Sequence, residues 1–487
     1  RDSGVCFCTL YAHMFGVNFG FSHTWHRLQV PAMSKTVALD EIPYCHDGCE
    51  LFQRLRELPH PVFLDSSHPH AHGGRYDIMS AQPLECDTPA LCNGASEKQA
   101  LSYFADLSLF HRRHFEGIQP ASQDIPFCGG LLGYIGYDAG NSLHGVTLSE
   151  GTRYPSAILR AYDWCIVQDH LLRRSVLVTQ PGVSPARRQD LLKRVRRPTI
   201  HKPSVFRLQG SFTSNMEPRD YREAFNRIQT YIRSGDCYQV NLAHCFRADC
   251  EGDPWDAYRR LRPIAAAPFA AYMDFSGNDA LLCLSPERFI SLHGHHVETS
   301  PIKGTRPRFG DPRADQLAAE ELQRSEKDRA ENLMIVDLLR NDLGRNCAPG
   351  SIHVDKLFEI QSFPTVHHLV STISGELQSD RGAIELLRDS LPGGSITGAP
   401  KRRAMEIIAE LETTGRQMYC GSVVYISADG RMDSNIAIRT LLCTQGQVHC
   451  WGGGGIVADS QWQQEYQETY DKVGKFLNVL EGLGEER

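Results

Sequence analysis

Two pairs of carboxylates stand out first: Asp328 with Glu331, and Glu465 with Glu468, each pair three residues apart. On a helix that spacing puts both side chains on one face, and two such faces could clamp a metal ion. With no His or Cys in the pattern, the donors are hard oxygens, which suit Mg2+ held by one or two carboxylates plus water and substrate. Acidic pairs at this spacing also stud ordinary solvated faces, so spacing alone decides nothing. Trp451 to Val457 carries four consecutive glycines, which let a backbone approach a ligand and aim N–H groups at it, or simply make a flexible turn. Gly393 to Lys401 runs toward a helix start, where free N–H groups favour carboxylates, and it lacks a phosphate-loop pattern. Lys303 sits in a turn-like Pro-Ile-Lys-Gly-Thr-Arg-Pro-Arg segment, and His68, His70 and His72 alternate in a loop rich in Ser, Pro and Gly, where solvation is the simplest reading.

The elements that must hold these groups are partly legible. Pro218 opens a helix with Tyr221, Phe225, Ile228 and Ile232 at helical spacing, stopped by Gly235. Ser325 with Asp328 resembles a capping box for a helix ending near Gly344, which places the first acidic pair in its opening turns. Further helices are expected from Ala399 to Leu411, with Pro400 in the first turn, and from about Gln463 to Leu480, which carries the second pair. Pro61 to Leu64 and Gly129 to Tyr137 read as strands, and Trp164 to Val167 with Ser175 to Val178 as a hairpin. Hairpin-like strands interspersed with helices predict an α+β fold, a layered sandwich of largely antiparallel sheets flanked by helices.

At 487 residues and 41% hydrophobic, the chain can bury a sizeable site. A net charge of −7 without a long basic block argues against a nucleic-acid partner. No stretch approaches the ~18–20 apolar residues of a membrane span, and the sixteen cysteines are scattered without a secretory signal, which suggests reduced thiols in the cytoplasm. Residues 1–32, aromatic and aperiodic before Met33, read as a leader outside the fold. The basic, Pro-containing stretch from Gly182 to Ser204 suggests a boundary, giving an N-terminal region at 33–205 and a catalytic domain at 206–484.

Eight strings in order resemble the chorismate-utilising enzymes, a family that includes aminodeoxychorismate, anthranilate, isochorismate and salicylate synthases. They are Gly235 to Leu242, Leu284 to Phe289, the Lys303 segment, Asp328 to Asp337, His367 to Ser371, Thr397 to Lys401, the glycine run, and Glu465 to Lys472, and the likeness spans about residues 61–480. The resemblance implies the layered anthranilate synthase component I-like fold. It implies that Glu331 and Glu468 hold Mg2+, supported by Asp328 and Glu465. It implies a chorismate site lined by Gly304, Thr305, Tyr419, Arg439 and the backbone of Gly453, Gly454 and Gly455, with His368 near the ring in a positioning or proton-handling role.

Within the family, water-adding members carry a lysine where this chain has Gln239, and a glutamine is no base near neutral pH. Anthranilate synthases typically carry alanine where this chain has Lys303. By resemblance to the aminodeoxychorismate synthases, Lys303 attacks C2 of chorismate, Glu287 protonates the departing C4 hydroxyl, and ammonia enters at C4 and expels the lysine. Such chemistry requires a neutral amine and a carboxyl group whose pKa is raised. The chain has no Gly-x-Cys-x-Gly nucleophile motif, so a separate glutamine amidotransferase is the expected ammonia source. With no further domain to eliminate pyruvate, the expected product is aminodeoxychorismate rather than 4-aminobenzoate.

Ser66, Gly73, Gly74, Arg75 and Tyr76, with Pro268, Phe269 and Ala270, resemble the family's tryptophan pocket. Gly73 and Gly74 offer no side chains there, which leaves a bound tryptophan and a vestigial structural site both open. The rival readings are an anthranilate synthase large subunit, from which Lys303 separates this chain, and a silent tryptophan-binding member, against which intact Glu287, Lys303, Glu331 and Glu468 argue.

Overall fold

A computed structural model describes residues 35–71, 73–146, 153–199, 205–363 and 366–482. The expectation for residues 1–32 and the role considered for His72 lie outside the described residues. Among the described residues two large sheets dominate, of thirteen and ten strands, and their ladders are antiparallel; the parallel pair is the short Lys35–Thr36 with Ile118–Gln119. One hydrophobic core lies between the sheets, taking Leu131 and Val423 from one and Leu242 and Leu281 from the other. A second lies between the larger sheet and an outer layer that includes the helices Pro254–Ala265 and Trp462–Gly482, through Trp255, Tyr258, Phe476 and Leu480. This is the layered α+β sandwich that the strand patterns predict.

Both sheets draw strands from either side of residue 205. Val62–Asp65 pairs with Phe269–Ser276, and Gly130–Ile135 pairs with Ser422–Ser427. Edge strands leave unpaired N–H and C=O groups, and here each half completes the other's ladders. Asp77 and Asp65, buried at the strand ends, are satisfied by Ser66 and by Arg262 from the distant Pro254–Ala265 helix, at 2.7 and 2.6 Å.

Local signals position the functional segments. Ser325 accepts from the Asp328 N–H and starts the helix Glu326–Leu343. Pro218–Arg233 buries Tyr221, Phe225 and Ile228, and the chain turns at Gly235 with φ of 82°. The hairpin Trp164–Asp169 with Arg174–Thr179 forms as expected. Two expectations need correction. The helix expected from Ala399 starts at Lys401, because the N-cap Pro400 is extended and Ala399 pairs with Gln239 in a short strand. The strand expected to reach Tyr137 ends at Ile135, and Tyr137 opens a helix to Leu143 because its N–H bonds the Gln417 carbonyl.

Candidate active site

Glu287 lies where the chain crosses from the larger sheet, strand Asp279–Ser285, to the smaller, strand Arg288–His293. A second crossover, between Met432–Asn435 and Thr440–Thr444, runs beside it and carries Arg439 in a left-handed conformation with φ of 51°. The two are stitched together: the Ser285 hydroxyl donates to the Ile436 carbonyl at 2.6 Å, Ile436 N–H donates to the Glu287 carbonyl at 3.1 Å, and Leu284 N–H donates to the Arg439 carbonyl at 3.1 Å. Main-chain bonds thus fix an acid and a guanidinium near each other. Arg439 is free of any hydrogen bond or ion pair from its side chain among the described residues, and burial lowers its pKa. An unpaired guanidinium in a partly dry site is a receptor for a carboxylate.

Burial pushes the pKa of Glu287 up to about 7, against the opposing pull of Lys303, of a hydrogen bond from Ser395, and of Arg439 and Lys472. A carboxyl group poised there can hold a proton at neutral pH and give it up. Ser395, in the short turn Gly394–Ile396, donates from its hydroxyl to Glu287 Oε1 at 2.9 Å, and its carbonyl accepts from Lys303 Nζ at 3.3 Å. Lys303 belongs to the strand Ile302–Pro307, whose neighbour Val366–Glu376 carries His368 opposite Thr305. Thr305 Oγ1 and His368 Nδ1 are 2.9 Å apart, and burial, aided by Arg439, lowers the histidine to about 4, so its ring is neutral near pH 7.

The acidic faces converge as the spacing allows. Lys327 reaches Glu331 at 3.9 Å and Glu465 at 3.8 Å, so one ammonium touches carboxylates from both helices. Burial raises the pKa of Glu331 and of Glu465, which Ser460 caps at 2.6 Å. For Glu468 burial also pushes upward, but Lys472, at 2.6 Å, together with Lys303 and Lys327 lowers it overall. Asp328 is engaged by Arg306 at 3.2 Å and packs under Gly304, where a Cβ would come within 3.0 Å of its Oδ1. Among the described residues no three His, Cys, Asp or Glu side chains enclose a metal unaided; the donor set of oxygens from two helices fits Mg2+, which fills its octahedron with water and substrate oxygens.

The glycine run lies in the strand Gln447–Ile456, facing these carboxylates. A Cβ on Gly454 would sit 3.4 Å from Glu465 Oε2 and 3.7 Å from Glu468 Oε1, and one on Gly455 would strike Gln239 at 2.4 Å. Lys472 also bonds the Gly453 carbonyl at 2.8 Å. Gly453→Ala would press its Cβ to 2.8 Å from Ala243 Cβ and 3.0 Å from the Leu242 carbonyl of the paired strand. Such overpacking is expected to cost roughly 1–3 kcal/mol, read as a lowered midpoint in urea unfolding. Tyr419, buried, stacks on Trp451 of the same strand with centroids 6.0 Å apart.

Ser395 and Lys472 lie within the motifs Gly393–Lys401 and Glu465–Lys472 without a role of their own there, and Lys327 lies just outside the motif that starts at Asp328. The lysines were findable as the i,i+4 partners of Glu468 and Glu331. Ser395 offered no such signal, because its contacts come from distant strands. Lys401, at the end of the same segment, turns away to Asp342 at 2.7 Å.

The tryptophan-pocket residues gather elsewhere. Seven of the eight, all but Ser66, line a cavity of about 320 Å³ that also takes in Arg288, Tyr425 and Asp433. Ser66 stands behind its wall: its hydroxyl and N–H are both turned to Asp77, and a Cβ on Gly74 would meet the Ser66 carbonyl at 2.5 Å.

A two-sheet sandwich with a buried acid and an open guanidinium at its crossovers, and an amine on a strand of the smaller sheet, suits an enzyme that handles a small anionic substrate. The pattern of the chorismate binding enzymes matches residues 72–478, and the chain belongs to that family. It is 44% identical to aminodeoxychorismate synthase component 1 of Salmonella typhimurium over 90% of this chain and 97% of that one. It is 43% identical to the protein of the same name from Escherichia coli, over 88% and 95%. The crystal structure of anthranilate synthase component I from Streptococcus pneumoniae superposes with a TM-score of 0.69 at 27% identity, covering 93% of this chain and 95% of that one.

Proposed function

We propose that the chain is the large subunit of an aminodeoxychorismate synthase, which converts chorismate and ammonia to 4-amino-4-deoxychorismate for 4-aminobenzoate and folate synthesis in the cytoplasm. The observation that carries this reading is the single turn at Ser395 that bonds both an acid titrating near 7 and the Lys303 amine. Lys303 Nζ attacks C2, the ring double bonds shift, and the C4–O bond breaks as Glu287 gives its proton to the hydroxyl, which leaves as water. The new ammonium on Lys303 returns a proton to Glu287. Ammonia then attacks C4, the double bonds shift back, and the C2–N bond breaks with that proton passing to the lysine; the C4 ammonium loses its extra proton to restore neutrality. The sum is chorismate plus ammonia giving the amine and water.

Glu331 and Glu468, with Glu465 nearby, would hold Mg2+, which would neutralise a substrate carboxylate and orient the ring. Arg439 pairs with a second carboxylate. A glutamine amidotransferase subunit supplies the ammonia, and among the described residues no helix is long and apolar enough to cross a membrane. Mass spectrometry of the product from chorismate, Mg2+ and ammonium tests the assignment, with a chelator expected to stop turnover. Anthranilate as the product would overturn it.

The cavity at Arg75 and Phe269 favours a second ligand. Its volume is at the scale of small-molecule sites, its walls are aromatic and it presents both signs of charge, as an aromatic amino acid requires. L-tryptophan is proposed there, with a calorimetric heat that disappears in Ala270→Trp; no heat in the unaltered protein would end the idea.

A further inference from the structure

Ser395 meets the acid and the amine with different atoms, its hydroxyl at 2.9 Å from Glu287 Oε1 and its carbonyl at 3.3 Å from Lys303 Nζ. The turn that presents it is held from both ends. Arg416 donates to the Ile396 carbonyl at 2.9 Å, and Thr397 Oγ1 donates to the Gly393 carbonyl at 3.1 Å. Gly393 and Gly394 let it press close, since a Cβ on either would lie 2.6 Å from Ile436 or Leu338. The hydroxyl is therefore delivered to one place, and Ser395 is buried to 7% exposure.

A serine hydroxyl has one proton, and here it is given to Oε1. A protonated carboxyl also has one O–H, so with Oε1 accepting, the acid proton belongs on Oε2. The carbonyl of the same residue takes one N–H of Lys303, which constrains where the amine's lone pair points. We propose that Ser395 is a positioning residue that selects Oε2 of Glu287 as the proton-bearing oxygen and fixes one N–H of the Lys303 amine. This rests on the reading of Glu287 as proton donor and Lys303 as nucleophile.

The charged groups facing Glu287 are Lys303 from the strand Ile302–Pro307, Arg439 from the second crossover and Lys472 from the last helix. All three favour the carboxylate, as does the Ser395 hydroxyl, and only the last is removed in Ser395→Ala. Without that donor the ionised form loses support, so the limb of the pH profile on which activity falls with rising pH moves to higher pH. The expected result for Ser395→Ala is kcat lowered about 10- to 100-fold, KM for chorismate within about threefold, and that shifted limb. Ser395→Thr, which keeps the hydroxyl, restores most of the rate and returns the limb. Ser395→Cys, nearly isosteric with a weak donor, carries the test if the alanine variant does not fold, and is expected to fall between the two. Glu287→Gln is measured alongside. If it is inactive while Ser395→Ala keeps the normal kcat and limb, the role of Ser395 is overturned; if Glu287→Gln is itself fully active, the underlying reading of the acid fails instead.

Discussion

Lys303→Ala is expected to lower the rate of 4-amino-4-deoxychorismate formation by at least about 10³-fold, equivalent to ~4 kcal/mol of lost transition-state stabilisation. The residue is half-buried on a strand, and its Nζ is held by one carbonyl, so truncation removes no core packing. The melting temperature is expected to stay within a few degrees of the unaltered protein, which separates lost chemistry from lost fold. Lys303 also supplies positive charge to Glu287, Glu331 and Glu468. Its removal is therefore expected to raise the pKa of Glu287 further, and Lys303→Arg, which keeps a charge but cannot act as a neutral amine, separates the two roles. Retained activity in Lys303→Arg would assign the residue to electrostatics and remove the covalent route.

Glu287→Gln is expected to cost about 10²- to 10⁴-fold in kcat, the usual span for a positioned proton donor. On the proposed role of Glu287 as proton donor the acid form is the active one, so kcat/KM is expected to fall as pH rises through about 7. The glutamine variant should have a low, flat profile over that range. The same group predicts an effect on stability in the opposite direction. Its carboxyl titrates near 7 in the folded chain against ~4.3 unfolded. The stability it contributes is complete below about 4 and is lost as pH rises through 7, because the folded state must then carry a buried charge. Glu287→Gln removes that titration and is expected to be more stable than the unaltered protein above pH 7, by up to roughly 4 kcal/mol. Unfolding midpoints at pH 4.5 and pH 8.5 would measure it; an equal offset at both would mean that the buried carboxylate carries no strain.

Chemistry and stability pull against each other at this residue, a common pattern where a site needs a strained group. The neighbouring cationic groups moderate the cost. Lys303, Arg439 and Lys472 come from three separate elements, and each keeps the acid from rising further. A bound dianionic substrate would offset two of these charges, which favours the protonated acid when it is needed.

What the sequence determined by itself was whatever depends on neighbours along the chain. Ser325 and Pro218 mark helix starts because caps and first-turn prolines act within four residues, and the hairpin at Trp164 follows from alternation and a polar turn. The three-residue spacing of Asp328 with Glu331 and of Glu465 with Glu468 put each pair on one face. Family motifs supplied the roster of candidate reacting groups, Lys303 and Glu287 included. The tertiary structure alone decided which of these meet. Asp328 shares a helix face with Glu331 yet is taken by Arg306 and packs beneath Gly304, a choice made by a strand some twenty residues away. Ala399 became a strand residue because Gln239 offered it a ladder. Glu287 acquired its elevated pKa from burial at a crossover between two sheets, and Ser395 acquired its two bonds because the folded core brings a turn from residue 395 against that crossover and the strand of residue 303. Burial and long-range contact are properties of the packed layers, and no local pattern encodes the desolvation that makes a carboxyl group an acid at neutral pH.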